Sequence, residues 1–406
     1  MHQIPSPERK IALPTAGIVA EYNPLHTGHR FHLTETRKQF SRVIAVMSGH
    51  AVQRGGPAAF SKWVRAEAAV RAGADLVLEL PAVWASAPAE RFAAGAVHIL
   101  AGTGIVEAVS CGSESGDGTA LEQAAHGLIE AERDPLLPRL LKEGRTYAAA
   151  REEAVKALCG EGTAALLRDP NNILALEYLK AMAAEAEAGH PLSFFTVKRL
   201  GAGHDSDRPE GGTASASKLR QMLGAGEDWA AYIPEEIRPL FLGAAGKGEA
   251  GADPRQMDRA VLFKLLSIPP ESLRQLPDIS EGLENRFLKA AEQAKSAEEL
   301  LGLVKTKRYT LSRLRRILWN LMLGNREPLV ASLPPYIRVL AYRGGTGQQL
   351  MREIGQKGTL PLYTSMADIR RDFPEIAEVE LNATRLFGLC CPEPVRIDEY
   401  PRLRPL

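Results

Sequence analysis

The sequence predicts an α/β fold: a parallel β-sheet with helices on both faces, followed by a mostly α-helical C-terminal region. Three observations predict it. Five short apolar runs lie in the first half of the 406 residues. Ala- and charge-rich segments of helical period separate them, the pattern of strand, crossover helix, strand. After Ser215 the strand signals nearly vanish.

The elements follow in order. Ala16–Tyr22 (AGIVAEY) is apolar and ends in a polar loop; a helix is expected over 28–39. Arg42–Ser48 (RVIAVMS) is the second run, with helical period over 60–72. Asp75–Leu80 (DLVLEL) is the third, stopped by Pro81, and 88–101 the next helix. Val106–Cys111 (VEAVSC) is stopped by Gly112 and followed by helix 119–131. Residues 145–187 read as further helices, broken at Gly160, Gly162 and Pro170, and Ser193–Val197 (SFFTV) is the fifth strand. Residues 215–345 read as mostly helical with a soft linker at 243–254, and the tail 346–406 is mixed. Such sheets bind ligands at the carboxyl ends of their strands.

Length argues for more than one domain. We expect one over 1–224 and a mostly helical region over 225–406. The 45% hydrophobic and 24% charged fractions exclude wholesale disorder and fibrous architecture. No run approaches the roughly 18 apolar residues of a membrane span, and MHQIPSPERK lacks a signal-peptide core. Cys111, Cys159 and the adjacent Cys390–Cys391 form neither a disulfide framework nor a CxxC pattern. A reduced, cytoplasmic location is expected, and no metal site is expected in the protein itself. The net charge of +1 hides segregation: residues 301–345 carry +8, residues 346–406 carry −1, and the first 300 carry −6.

The most informative segment follows the first strand: Glu21-Tyr22-Asn23-Pro24-Leu25-His26-Thr27-Gly28-His29. A strand ends, Pro24 turns the chain, and a helix begins near Thr27. Helix N-termini attract phosphate. His26 and His29, three apart, share one side of the first turn and can donate to phosphate oxygens. Gly28 between them would let a flat base or ribose lie on the backbone. His32 continues the face one turn later, as ligand or packed residue. A second segment, Ser215-Ala216-Ser217-Lys218-Leu219-Arg220, offers an N-cap serine and an arginine one turn in, whose fork suits phosphate. Arg199, His204 and Asp205 follow the fifth strand. Gln53, Arg54, Lys62 and Arg65 follow the second and would line the same mouth; a solvated helix face is the alternative for Lys62 and Arg65. Residues 305–320 (KTKRYTLSRLRRILWN) carry an apolar stripe at Leu311, Leu314, Ile317, Leu318 and Leu321. Lys305, Lys307, Arg308, Arg313, Arg315 and Arg316 fall largely off it, and Tyr309 stands near the helix start where it could stack on a base. We expect an RNA-binding face there, within 305–345.

His-Thr-Gly-His after a first strand resembles the HxGH signature of the Rossmann-like nucleotidylyltransferases, and SASKLR their second signature. The blocks GIVAEYNPLHTGH, MSGHAVQRGGPAAFSKWVRAEAAVRAGADLVLELP, CGSES, DPNNILALEYLKA, VKRLGAGHD and TASASKLR, with KTKRYTLSRLRRIL beyond, resemble in their order the bacterial tRNA(Met) cytidine acetate ligase family. The chain departs from the family pattern at His50, Ala51 and Gly56.

The resemblance implies an ATP-dependent ligase. ATP, with Mg2+ as its companion ion, activates acetate to acetyl-adenylate. The acetyl group then passes to N4 of the wobble cytidine of elongator tRNA(Met), forming N4-acetylcytidine. It implies catalytic roles for His26, His29 and Arg220. It implies an ATP site from Val19, Ala20, Glu21, Tyr22, Asn23, Pro24, Leu25, His26, Thr27, Gly28, His29, Arg30, Phe31 and His32. Gly112, Arg199, Leu200, Ser215 and Ser217 would join it. Asn171 or Asn172 would bind the nucleotide or cap the following helix. The alternative is a nucleotidylyltransferase moving AMP to a small phosphorylated metabolite, which has no need of a basic helix; a non-catalytic RNA-binding protein is a third reading.

Overall fold

The computed structural model describes residues 14–199, 214–280 and 282–406. In chain order the elements that position the site are β1 (Thr15–Ala20), α1 (Thr27–Gln39), β2 (Arg42–Ser48), β3 (Ala51–Val52), β4 (Gly56–Pro57), α2 (Lys62–Ala72), β5 (Leu76–Leu80), α3 (Ala89–Gly102), β6 (Ala108–Ser113), α4 (Gly118–Arg133), α5 (Pro170–Glu187), β7 (Ser193–Lys198), α6 (Ala216–Ala225), α7 (Leu311–Leu323), β8 (Ile337–Tyr342), β9 (Leu362–Tyr363) and α8 (Pro374–Cys390). The main sheet runs β7-β6-β1-β2-β5-β8-β9.

All five expected strands are present, and they pair in parallel. β2 is buried throughout. Its Val43, Ala45 and Met47 enter one apolar cluster, and its Ile44 and Val46 enter the other, so both faces of the sheet are covered. On one of these faces α3 packs close to β1: a Cβ on Gly17 would stand 2.6 Å from the Leu100 side chain. The chain lays down β1, β2 and β5 to one side, then crosses back to place β6 and β7 on the other. The switch point therefore falls between β1 and β6.

The C-terminal half is mostly helical, but it also returns to the sheet. β8 pairs antiparallel with β5 and is buried along its whole length, and β9 adds to β8 in parallel. The signal for β8 was the run IRVLAY between Pro335 and Gly344. Arg338, its second residue, disguises it, because a charge reads as solvent-facing unless its partners are known.

Candidate active site

At the switch point a cavity of about 370 Å³ opens between the ends of β1, β6 and β7 and the first turns of α1, α5 and α6. The turn from β1 to α1 builds its floor. His26 is the N-cap of α1, and its Nδ1 accepts from the Gly28 N–H at 3.1 Å. The His29 Nδ1 accepts in turn from the His26 N–H at 3.3 Å. Both rings therefore carry their proton on Nε2. The rings lie 3.9 Å apart, and Tyr22 meets His29 edge-on. The need for Gly28 differs from the expected one. A Cβ there would come within 2.9 Å of His26 Cε1, so the imidazole, not a base or ribose, takes that space.

Burial, then the charges of Arg199 and Arg220, push the His26 imidazole down to about 3. Burial and Arg199 push His32 to about 4. Burial, with His26 next, holds His29 well below the usual histidine range. All three are neutral at pH 7, so His26 and His29 act as fixed Nε2–H donors. His32 shares a 2.9 Å hydrogen bond with Ser110.

Two arginines face this floor. Arg220 donates to the Asn23 carbonyl at 2.8 Å and to Ser217 Oγ at 3.0 Å. Arg199 donates to Asn171 Oδ1 at 3.4 Å, and its N–H holds the Ser113 carbonyl. Among the described residues neither is paired with a carboxylate, so each keeps its charge for an incoming anion. Burial lowers both guanidinium pKa values. Ser215 caps α6 by accepting from the Lys218 N–H at 3.2 Å, and it lines the cavity with Ser217. Gly112 lies where a Cβ would stand 3.4 Å from Arg199 Cγ.

The asparagine pair divides. Asn171 lines the cavity. Asn172 is buried, and its Oδ1 accepts from the N–H groups of Glu114 and Ser115 at 3.1 and 3.2 Å. Glu114 answers by accepting from both asparagine N–H groups at the start of α5. That clamp ties the end of β6 to α5, and no motif announced Glu114. The apolar wall of Ala89, Phe92, Leu174 and Tyr178 was also missed. Those residues sit in ordinary Ala- and Leu-rich helices, where nothing marks them as facing a ligand.

Val19, Ala20, Glu21, Tyr22, Asn23, Phe31 and His32 line the cavity as expected. Pro24, Leu25, Thr27 and Arg30 do not: Leu25 is core, and Arg30 pairs with Glu236 at 2.7 Å. Leu200, His204 and Asp205 lie outside the described residues. Gln53 and Arg54, on the β3–β4 hairpin, line the cavity. Lys62 and Arg65 are neither at the mouth nor solvated; both are completely buried. Arg65 donates to the carbonyls of Phe60, Glu21, Ser48 and Gly49. Lys62 sits among Glu79, Glu380 and Glu399 at 2.6, 2.9 and 2.5 Å. Those three carboxylates are the one group of metal-ligand type among the described residues, and the ammonium already occupies their centre. His50 is buried against Phe387 and bonded to Thr384.

The basic segment is only partly exposed. Lys305, Lys307, Arg308 and Arg315 face solvent. Arg313 donates to the Asp278 carbonyl and Arg316 to its carboxylate at 3.0 Å. Tyr309 is 7% exposed, with the Arg313 guanidinium 5.3 Å from its ring centre, so its face is not open for stacking on a base. Arg338 is paired with Glu79 and Glu399 inside the fold, and the partly exposed Arg343 is paired with Asp75.

A strand-turn-helix carrying His-Thr-Gly-His, faced by two arginines at the switch point of a parallel sheet, defines a nucleotidyl-transfer site. A family model described as HIGH Nucleotidyl Transferase matches residues 13–399. The tRNA(Met) cytidine acetate ligase of Thermoanaerobacter sp. (strain X514) is 38% identical over 388 residues, covering 92% of this chain and 94% of the relative. That of Acetivibrio thermocellus is 34% identical over 399 residues, covering 93% and 95%. The structure of Thermotoga maritima TmcAL superposes with a TM-score of 0.87 at 31% identity, covering 94% of this chain and 96% of that one. A second form, bound with alpha-thio ATP, gives 0.85, covering 94% and 95%. The chain belongs to the tRNA(Met) cytidine acetate ligase family of HIGH nucleotidyl transferases.

Proposed function

We propose that this protein activates acetate with ATP to acetyl-adenylate, releasing pyrophosphate. It then transfers the acetyl group to N4 of the wobble cytidine of elongator tRNA(Met). The observation that carries the reading is the cavity itself: two half-buried arginines, without a carboxylate partner among the described residues, converge on two imidazole Nε2–H groups at a helix N-terminus. That is a site built for phosphate, and the names of the relatives supply the acceptor.

The acetate carboxylate attacks the α-phosphorus, and pyrophosphate leaves. Both reactants are anions, so the protein contributes positioning and positive charge, with no covalent nucleophile. His26 and His29 donate to phosphate oxygens without a charge of their own to lose. Arg220 is held at two points and stands ready to neutralise the developing negative charge. Arg199 and Asn171 hold the nucleotide from the β6–β7 side. Mg2+ would enter with ATP and take most of its ligands from the phosphates, since the cavity lining offers it one carboxylate.

The anticodon loop presents its unpaired cytidine without opening a duplex. Lys305, Lys307, Arg308 and Arg315 offer its backbone a basic approach. We assign catalysis to residues 1–224 and tRNA docking to the basic part of 225–406, with β8 tying the two together. No described helix is long and apolar enough to cross a membrane, and the cytoplasm is the proposed location. Mass spectrometry of tRNA nucleosides tests the reading. Incubation of the protein with ATP, labelled acetate and elongator tRNA(Met) is expected to yield labelled N4-acetylcytidine; unlabelled cytidine alone would refute it.

A further inference from the structure

Glu21 is the one carboxylate among the described residues that line the cavity. It stands at the end of β1, half-buried. Its Oε1 accepts from the Gln53 N–H at 2.8 Å, and its main-chain carbonyl accepts from Arg65 at 2.6 Å. Among the described residues its Oε2 has no hydrogen-bond partner, and it is not sealed off from the cavity. The group is therefore fixed at one oxygen and open at the other.

A negative charge is out of place in a cavity for ATP and acetate, because it repels both. Anchoring the Gln53 N–H does not require it, since a neutral amide oxygen would accept that bond equally well. Besides offsetting the nearby Arg65 and Arg220 charges, this carboxylate has a task in the second half-reaction. The N4 amine of cytidine is conjugated with its ring and weakly basic, and it must lose a proton as it is acylated. Carboxylates are the natural acceptors for cytosine N4–H.

The location agrees. Glu21 holds the β3–β4 hairpin, and the hairpin packs on the basic helix: a Cβ on Gly55 would collide with the α7 backbone at Arg315 and Arg316. Glu21 is thus bonded to a cavity element that also touches the helix carrying part of the surface assigned to tRNA.

We propose that Glu21 is the general base for acetyl transfer, acting through Oε2 on the cytidine N4 amine. The nitrogen lone pair forms the N–C bond to the acetyl carbonyl. The C–O bond to the adenylate phosphate breaks, and AMP leaves with that electron pair. One N4 proton passes to Glu21 and then to solvent. The inference rests on the acetyl-transfer reading above, and the experiment keeps the two apart.

The test separates the half-reactions in Glu21→Gln, which keeps shape and the anchor to Gln53. Acetate-dependent exchange of labelled pyrophosphate into ATP is expected to fall at least about tenfold less than transfer does. Single-turnover transfer from enzyme-bound acetyl-adenylate to elongator tRNA(Met) is expected to fall by about 10²–10⁴-fold, the usual contribution of a general base. Glu21→Asp, which keeps the carboxylate, is expected to transfer faster than Glu21→Gln. Transfer at the wild-type rate in Glu21→Gln overturns the proposal. So does loss of exchange in Glu21→Gln with its melting temperature unchanged, which would place Glu21 in the ATP or Mg2+ step. If Glu21→Gln does not fold, Glu21→Asp decides alone: exchange lost with transfer overturns the proposal, and transfer slowed with exchange intact supports it. Failure of the wild-type protein to acetylate tRNA would instead refute the function.

Discussion

Two regions of this molecule bury positive charge, and they treat it in opposite ways. In the cluster between α2, β5, β8 and α8, Lys62 meets three carboxylates and Arg338 meets Glu79 and Glu399 at 2.8 and 2.5 Å. In the cavity, Arg199 and Arg220 are held by an amide oxygen, a carbonyl and a hydroxyl. Neutral acceptors orient a guanidinium without cancelling it. A cation satisfied by carboxylates is neutralised within the frame; the cavity cations held by dipoles keep their charge for a ligand. Arg65, buried among four carbonyls, shows that dipoles alone can also hold a cation of the frame. The basic helix α7 holds both kinds, with Arg313 and Arg316 bonded to Asp278 and Arg315 turned outward.

The largest expected effect breaks the frame. Lys62→Met leaves three buried carboxylates with one cation, and removing one partner of a buried pair costs about 3–5 kcal/mol. Denaturant unfolding reads it; a loss under 1 kcal/mol would mean that the cluster is not structural. Next comes the cavity. Arg220→Ala is expected to slow adenylate formation by about 10²–10³-fold, the scale for one electrostatic donor, with tRNA affinity unchanged. Unaltered exchange kinetics would remove Arg220 from the phosphate site. Smaller still, Lys307→Ala with Arg315→Ala should reduce the salt slope of tRNA binding by about 1.5, two phosphate contacts' worth, while leaving adenylation alone. An unchanged slope would move the tRNA surface elsewhere.

Within the frame two acids titrate in opposite directions: against burial, which raises it, the Lys62 and Arg338 charges hold the Glu79 carboxyl down at about 2. Burial and the Glu79 charge push the Glu380 carboxyl up to about 8. A raised acid favours the folded state at low pH, and that contribution is lost as pH rises through about 8. The cavity histidines are depressed, with His26 at about 3 and His32 at about 4. They favour the folded state above their unfolded value of roughly 6.5, and that contribution is lost as pH falls below it. Melting temperature followed against pH should therefore show Glu380→Gln removing a decline that runs from roughly 4.3 up to about 8, and His32→Ala removing part of a fall below roughly 6.5.

The cavity was largely legible in the sequence because its logic is local. A strand end, a turn and a helix start lie within His26–His29, and a capped helix within Ser215–Arg220, so spacing alone places the groups. The frame was not legible. Lys62 lies 318 and 337 residues from Glu380 and Glu399, and no local pattern connects them. Without those partners Lys62 reads as a cavity or surface lysine, and Arg338 hides the strand it occupies. Tyr309 failed differently: its place at a helix start was readable, but which side of that start faces the core depends on packing that the period does not reveal.

The central claim is that the cavity makes acetyl-adenylate with charge reserved for that purpose. Isotope exchange between pyrophosphate and ATP, measured without tRNA, tests it most directly. The account predicts exchange that requires acetate, survives Lys307→Ala with Arg315→Ala, and falls at least about 10²-fold in Arg220→Ala. Exchange that proceeds equally without acetate, or none in the wild-type protein, would contradict it.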